Sequence, residues 1–215
     1  MNHEKTAIIA GASGQVGGYL LTKLLNSDGY QNVIALIRQP LEITHPKLQQ
    51  LQVDFENINA LEIKADDVFC CMGTTIKKAK TQENFKHIDY GYPLQFAKKM
   101  FQNGATKFML VSSMGADTKS SIFYARVKGE LEKDVAEIPY KTIGIFRPSM
   151  LLGPRKEKRM GEQIGKILMQ FFAFIIPAKY KAVHAEKVAE SMLQFAQKDL
   201  LGAHIILNPE ILKVK

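Results

Sequence analysis

A chain of 215 residues with 46% hydrophobic and 23% charged side chains has the make-up of one globular domain with a substantial core. Its net charge of +8 suits an anionic cofactor and substrate. The basic residues are scattered rather than clustered among aromatics, which argues against a nucleic-acid surface. No apolar run reaches the length of a membrane span, and Met1-Asn-His-Glu-Lys5 has no apolar signal region. Cys70 and Cys71 are adjacent in a strand-like run, so they point to opposite faces and make poor disulfide partners. No Cys/His cluster has zinc spacing, so no metal is expected, and a reducing cytoplasm is the expected compartment.

The first element organises the rest. Ala7 to Ala10 reads as a buried strand, Gly11, Gly14 and Gly17 follow at three-residue intervals, and Tyr19 to Leu25 resumes at helical apolar spacing. Strand, glycine turn and helix in this order predict a dinucleotide site. Gly11 allows a sharp turn, Gly14 a close approach of backbone to a pyrophosphate, and Gly17 close packing of helix on strand. Asn32 to Arg38 is the second strand. An NAD site wants an acid near its end, whereas Arg38 suits the 2′-phosphate of NADP, so NADP(H) is expected in preference to NAD(H).

Leu48 to Phe55 is read as the third strand, with Asp54 near the adenine, and Asn57 to Lys64 as a short helix. Asp67 to Gly73 is the fourth strand, where Gly73 and Thr74 suit the ribose–nicotinamide side of the cleft. Thr75 to Gln82 is read as a solvated lysine-bearing loop. Phe85 to Asn103 forms the longest helix, kinked by Pro93. Lys107 to Ser113 is the fifth strand, Tyr140 to Arg147 the sixth, and Ala203 to Leu207 the last, with helices around Tyr124, over Gly161 to Phe174 and over His184 to Gln197. Strands alternating with helices predict an α/β, doubly wound parallel sheet of the Rossmann type. The whole of 1–215 is read as one compact domain in which 151–180 supplies a small C-terminal substrate-side or interface segment. The apolar run Phe171 to Ile176 within it is read as core or a dimer contact.

Tyr124 and Lys128, four apart, share one helix face behind a strand that ends in Ser112-Ser113. Tyr19 and Lys23 make the same pair on the first helix, so spacing alone does not identify a site. Position after a central strand does, because strand ends and the following helix converge on one crevice. Reducing a carbonyl needs a proton donor, and a phenol with a free pKa of about 10 needs a nearby ammonium to serve. Tyr124 is then the donor, Lys128 the ammonium that can also hydrogen-bond the nicotinamide ribose, and Ser113, in preference to Ser112 on the opposite face, the hydroxyl that holds the substrate oxygen.

Gly11-x-x-Gly14-x-x-Gly17, the paired serines, Tyr124-x-x-x-Lys128 and Arg147-Pro148 resemble atypical short-chain dehydrogenases. Cys70-Cys-Met-Gly-Thr-Thr75, Val111-Ser-Ser-Met-Gly-Ala-Asp117, Val127-Lys-Gly-Glu-Leu-Glu132 and Phe146-Arg-Pro148 are similar to the Tat-interacting oxidoreductase family over most of the chain. The resemblance implies NADPH held by Gly11, Ser13, Gly14, Gln15 and Val16 at the phosphates, with Arg38 at the 2′-phosphate. It implies Ser113, Tyr124 and Lys128 as the catalytic set, and backbone after Pro148 beside the nicotinamide, with Ser112, Tyr124, Lys128, Arg147 and Pro148 expected to contact the cofactor. The expected partner is a small-molecule carbonyl substrate, in a monomer or homodimer. A cofactor-bound regulatory or scaffolding protein is the rival reading, since the segment after Pro148 is short for a substrate lobe.

Overall fold

The computed structural model describes residues 5–153 and 177–214. The apolar runs become β1 (Thr6–Ala10), β2 (Asn32–Ile37), β3 (Leu48–Gln52), β4 (Asp67–Cys70), β5 (Lys107–Val111) and β6 (Thr142–Arg147). Two short strands follow, β7 (Leu151–Leu152) and β8 (Val183–His184), and then β9 (Gly202–Leu207). Seven strands form one parallel sheet in the order β3-β2-β1-β4-β5-β6-β9, while β7 and β8 pair with each other. The winding reverses between β1 and β4, so their carboxyl ends open a crevice, where ligands bind in sheets of this kind.

Continuous apolar runs are what a strand covered on both faces requires. Ile8 and Ile9 show this: neighbours in β1, both inaccessible, they enter different cores. One core packs helix α1 (Gln15–Leu25) and a later helix, Ala185–Ala196, on the sheet through Leu20, Leu24, Val188 and Met192. The other is filled by Phe96, Met100, Leu131 and Val135 from helices on the opposite face. Lys107, buried at the start of β5, is satisfied by the carbonyls of Ala196 and Lys198, both 2.7 Å from its ammonium. It thereby caps the carboxyl end of the Ala185–Ala196 helix.

Strands three to five end earlier than expected, at Gln52, Cys70 and Val111. Phe55–Ala60 is a 3-10 turn rather than an α-helix over Asn57 to Lys64. The supposed lysine loop contains one helical turn, α2 (Ile76–Ala79), capped by Thr75 Oγ1, which accepts from the Lys78 amide. The long helix is not continuous. It comprises α3 (Gln82–Lys86), a π turn over His87–Gly91, and α4 (Tyr92–Gln102). Pro93 cannot donate to the carbonyl four residues back, and the Tyr92 amide reaches instead to the His87 carbonyl, five back.

Beyond it lie α5 (Phe123–Ala136) and α6, the Ala185–Ala196 helix already described. The short α7 (Asn208–Lys213) had no sequence signal strong enough to read. Buried Asn208 ties its start to the substrate side, accepting from the Ser149 amide and donating to the Ala178 and Lys181 carbonyls. The helix expected over Gly161 to Phe174 and the Phe171 to Ile176 run lie outside the described residues. Among the described residues no helix is long and apolar enough to cross a membrane.

Candidate active site

The glycine turn closes on itself through backbone contacts that leave no room for side chains. Gly11 adopts φ +88°, and a Cβ there would lie 2.5 Å from the Cys71 carbonyl oxygen of the neighbouring strand end. A Cβ at Gly17 would lie 2.1 Å from the Gly11 oxygen, so α1 can approach β1 only as glycine. Gly14 differs. It is the exposed N-cap of α1, donates its amide to the Gly11 carbonyl at 2.9 Å, and would hold a Cβ 3.1 Å from that oxygen. Gly14 offers α1 no capping side chain and the first turn carries no acid, which suits a phosphate. Ser13 is exposed beside Gly14, Val16 is buried, and Gln15 donates to the Gly153 carbonyl at 3.3 Å. This cradle fits a dinucleotide.

Arg38 stands exposed one residue past β2. Asp54 serves a local purpose: its oxygens accept from the Glu56 amide at 3.0 Å and the Asn57 side chain at 2.9 Å, capping the 3-10 turn. Beside it is a cluster that sequence reading missed. Glu56 accepts from the Tyr92 hydroxyl at 2.6 Å and lies 2.9 Å from His87 Nε2; these two contacts draw its carboxyl below the usual range. Burial, then Glu56, push the Tyr92 phenol up to about 12, with Arg38 opposing.

At the end of β4, Gly73 is exposed and Thr74 turns inward, its amide donating to Asp89 Oδ2 at 2.7 Å. The other oxygen of Asp89 lies 2.8 Å from the Lys128 ammonium, and both side chains are almost wholly buried. Burial works against the Lys128 charge. Asp89 first, then Tyr124, outweighs it and holds the ammonium above the ordinary lysine value.

The two serines after β5 part company. Ser112 is buried and donates to Glu132, whose carboxylate also holds the Arg147 guanidinium at 2.5 to 3.0 Å. Arg147 therefore clamps β6 to α5 through Glu132. Pro148 is buried, and its carbonyl accepts from the Met114 amide at 2.9 Å, joining the loops that follow β5 and β6. Ser113 Oγ is buried and has no partner among the described residues. Tyr124 is half-buried in the first turn of α5, its ring 5.5 Å from that of Phe85. The decoy pair on α1 is occupied: Lys23 bridges Glu186 and Glu190 at 3.4 and 2.9 Å.

Asp89 and Glu132 are the site residues that sequence reading missed. Glu132 could have been found, because Tyr124, Lys128 and Glu132 continue one i, i+4 stripe. Asp89 could not, because it faces inward only by virtue of the π turn. No group of three potential metal ligands occurs among the described residues.

The model of a family described as NAD(P)H-binding matches residues 11–138. Protein HTATIP2 of Rattus norvegicus is 38% identical over 168 residues, 75% of this chain and 69% of that protein. Protein FMP52, mitochondrial, of Candida albicans is 32% identical over 206 residues, 92% and 90% of the two chains. Among solved structures, MoeE5 in complex with UDP-glucose and NAD superposes with a TM-score of 0.72 at 16% identity, covering 93% of this chain and 74% of that one. WbmH of Bordetella bronchiseptica in complex with NAD+ gives 0.71 at 17%, covering 95% and 76%. Further FMP52 relatives are also named as mitochondrial, which overturns the cytoplasmic expectation. Unpaired cysteines report a reducing environment, not a particular compartment. The chain belongs to the NAD(P)H-binding family of atypical short-chain dehydrogenases and binds its nicotinamide cofactor on a Rossmann fold.

Proposed function

We propose that the protein is an NADPH-dependent reductase of a small carbonyl compound. The observation that carries this reading is Ser113 Oγ, a buried hydroxyl without a partner among the described residues, beside a serine that has one. A buried hydroxyl left unpaired is costly, and a ligand oxygen that pairs with it recovers that cost. When bound, NADPH supplies a hydride. Ser113 donates to the carbonyl oxygen and orients it. Tyr124 gives its phenolic proton to the same oxygen as negative charge develops there. Lys128 stabilises the phenolate left behind and takes the nicotinamide ribose hydroxyls. Gly11, Ser13, Gly14, Gln15, Val16 and Gly17 surround the pyrophosphate, Gly73, Thr74 and Pro148 line the nicotinamide end, and Arg38 takes the 2′-phosphate. Ser112 and Arg147, joined through Glu132, brace this wall instead of touching cofactor. By kinship with the FMP52 relatives, the protein works in mitochondria.

The test is NADPH oxidation followed across a panel of aldehydes, ketones and quinones. Turnover of at least one class supports the reading. Tight NADPH binding with no turnover across the panel carries the regulatory alternative instead.

Arg38 supports NADPH over NADH, because a guanidinium meets a phosphate with charged, paired hydrogen bonds. Calorimetry is expected to give tighter binding of NADPH than NADH. Arg38→Ala should remove most of the difference, a loss of about ten- to a hundredfold for a bond of about 1.5–3 kcal/mol. Equal affinities in the unmutated protein would rule out this role for Arg38.

A further inference from the structure

Asp89 is the buried acid to which the proposed chemistry gives no task. It sits in the π turn at 1% exposure, and its two oxygens are divided between Lys128 at 2.8 Å and the Thr74 amide at 2.7 Å. One carboxylate thereby joins three segments: the loop after β4, the π turn, and α5. Gly73 lies over the pair. A Cβ there would come 3.4 Å from Asp89 Oδ1 and 3.9 Å from Lys128 Nζ, while Gly73 itself is exposed. The ion pair is thus covered by one layer of backbone at the carboxyl end of β4, where the crevice opens.

We propose that Asp89 is the positioning residue for Lys128, fixing its ammonium beneath the nicotinamide end of the cofactor cleft before the nucleotide arrives. The inference rests on the reading of Lys128 as a cofactor-contacting residue. A lysine stem has four rotatable bonds, and the amide bond from Thr74 prevents the carboxylate from following it elsewhere. Charge is the second half of the argument. The groups that bear on the ammonium are Asp89, Tyr124 and Cys70, and burial has pushed the Cys70 thiol up to about 12. Asp89 is the carboxyl group among them, 2.8 Å from the ammonium. Without it, a buried ammonium gives up its proton far more readily.

The test is NADPH affinity by calorimetry at pH 7 and pH 9 for four proteins: unmutated, Asp89→Asn, Lys128→Met and the double variant. Asparagine keeps the shape and the acceptor for Thr74 but removes the charge. The unmutated protein is expected to bind NADPH within about twofold at the two pH values. Asp89→Asn should bind about tenfold more weakly at pH 9 than at pH 7, as the unsupported ammonium loses its proton. Lys128→Met should be weak at both, and adding Asp89→Asn to it should change affinity by less than about twofold, since no ammonium remains to be positioned. A purely structural Asp89 would weaken both backgrounds alike and show no pH response. If Lys128→Met weakens binding while Asp89→Asn behaves as the unmutated protein, the positioning role is wrong. If Lys128→Met binds NADPH normally, the underlying reading of Lys128 fails instead. Should Asp89→Asn not fold, Asp89→Ser, with room for a water beside the ammonium, takes its place with the same expected pH response.

Discussion

Replacing Tyr124 by phenylalanine is expected to lower turnover of any accepted carbonyl by about 10²–10⁴ and to leave NADPH affinity within about twofold, the usual result of removing a positioned acid. The structure makes this a clean substitution. The Tyr124 ring rests against Phe85, a contact that phenylalanine keeps, and its hydroxyl has no hydrogen-bond partner among the described residues. Nothing buried is orphaned by its loss, so stability should barely change. Tyr19→Phe serves as the control, because its Lys23 is bound by two glutamates on α6. Steady-state rates with a saturating carbonyl check both. Normal turnover by Tyr124→Phe would remove it as the proton donor.

The second large effect belongs to the glycine turn, where neighbouring glycines should fail in different ways. Gly14→Val is expected to weaken NADPH by more than about a hundredfold while the protein still unfolds cooperatively near its original temperature. Its side chain would occupy the space of the pyrophosphate and displace several charged hydrogen bonds, each worth about 1.5–3 kcal/mol. The fold tolerates it because Gly14 is exposed and its Cβ needs only a few tenths of an ångström of relief from the Gly11 oxygen. Gly17→Ala should lose both binding and stability, since its Cβ would penetrate the Gly11 carbonyl at 2.1 Å. Thermal unfolding with and without NADPH separates the two cases. Retained affinity in Gly14→Val would place the nucleotide elsewhere.

The parallel sheet was legible because strands buried on both faces must be apolar at successive positions, as Ala7 to Ala10 and Val33 to Ile37 are. The glycine turn was legible because only glycine satisfies its contacts at positions 11 and 17. What escaped depended on partners distant in sequence. Alternation says that Ser112 and Ser113 face opposite ways but not which of them meets a carboxylate; Glu132, on the following helix, decides it. The same carboxylate holds Arg147, a pairing across fifteen residues that spacing does not announce. The capping of the turn after β3 by Asp54 likewise depends on a 3-10 turn that the sequence did not announce. The mitochondrial names of the FMP52 relatives had no counterpart in composition.

The π turn has a consequence for how this chain can vary. A five-residue return holds one residue more than an α-helical turn, and each helical residue advances the chain by about 100°. Deleting a single residue between His87 and Gly91 would leave a tidy α-helix and an unchanged core composition. It would also swing every residue on the amino-terminal side of the deletion to a new bearing relative to α4, taking Asp89 off Lys128 and Phe85 off Tyr124. Insertions and deletions are usually absorbed by loops, but here a one-residue change of length inside a helix is an instruction about direction. Chains aligned across this stretch without the extra residue would match letter for letter and disagree in space.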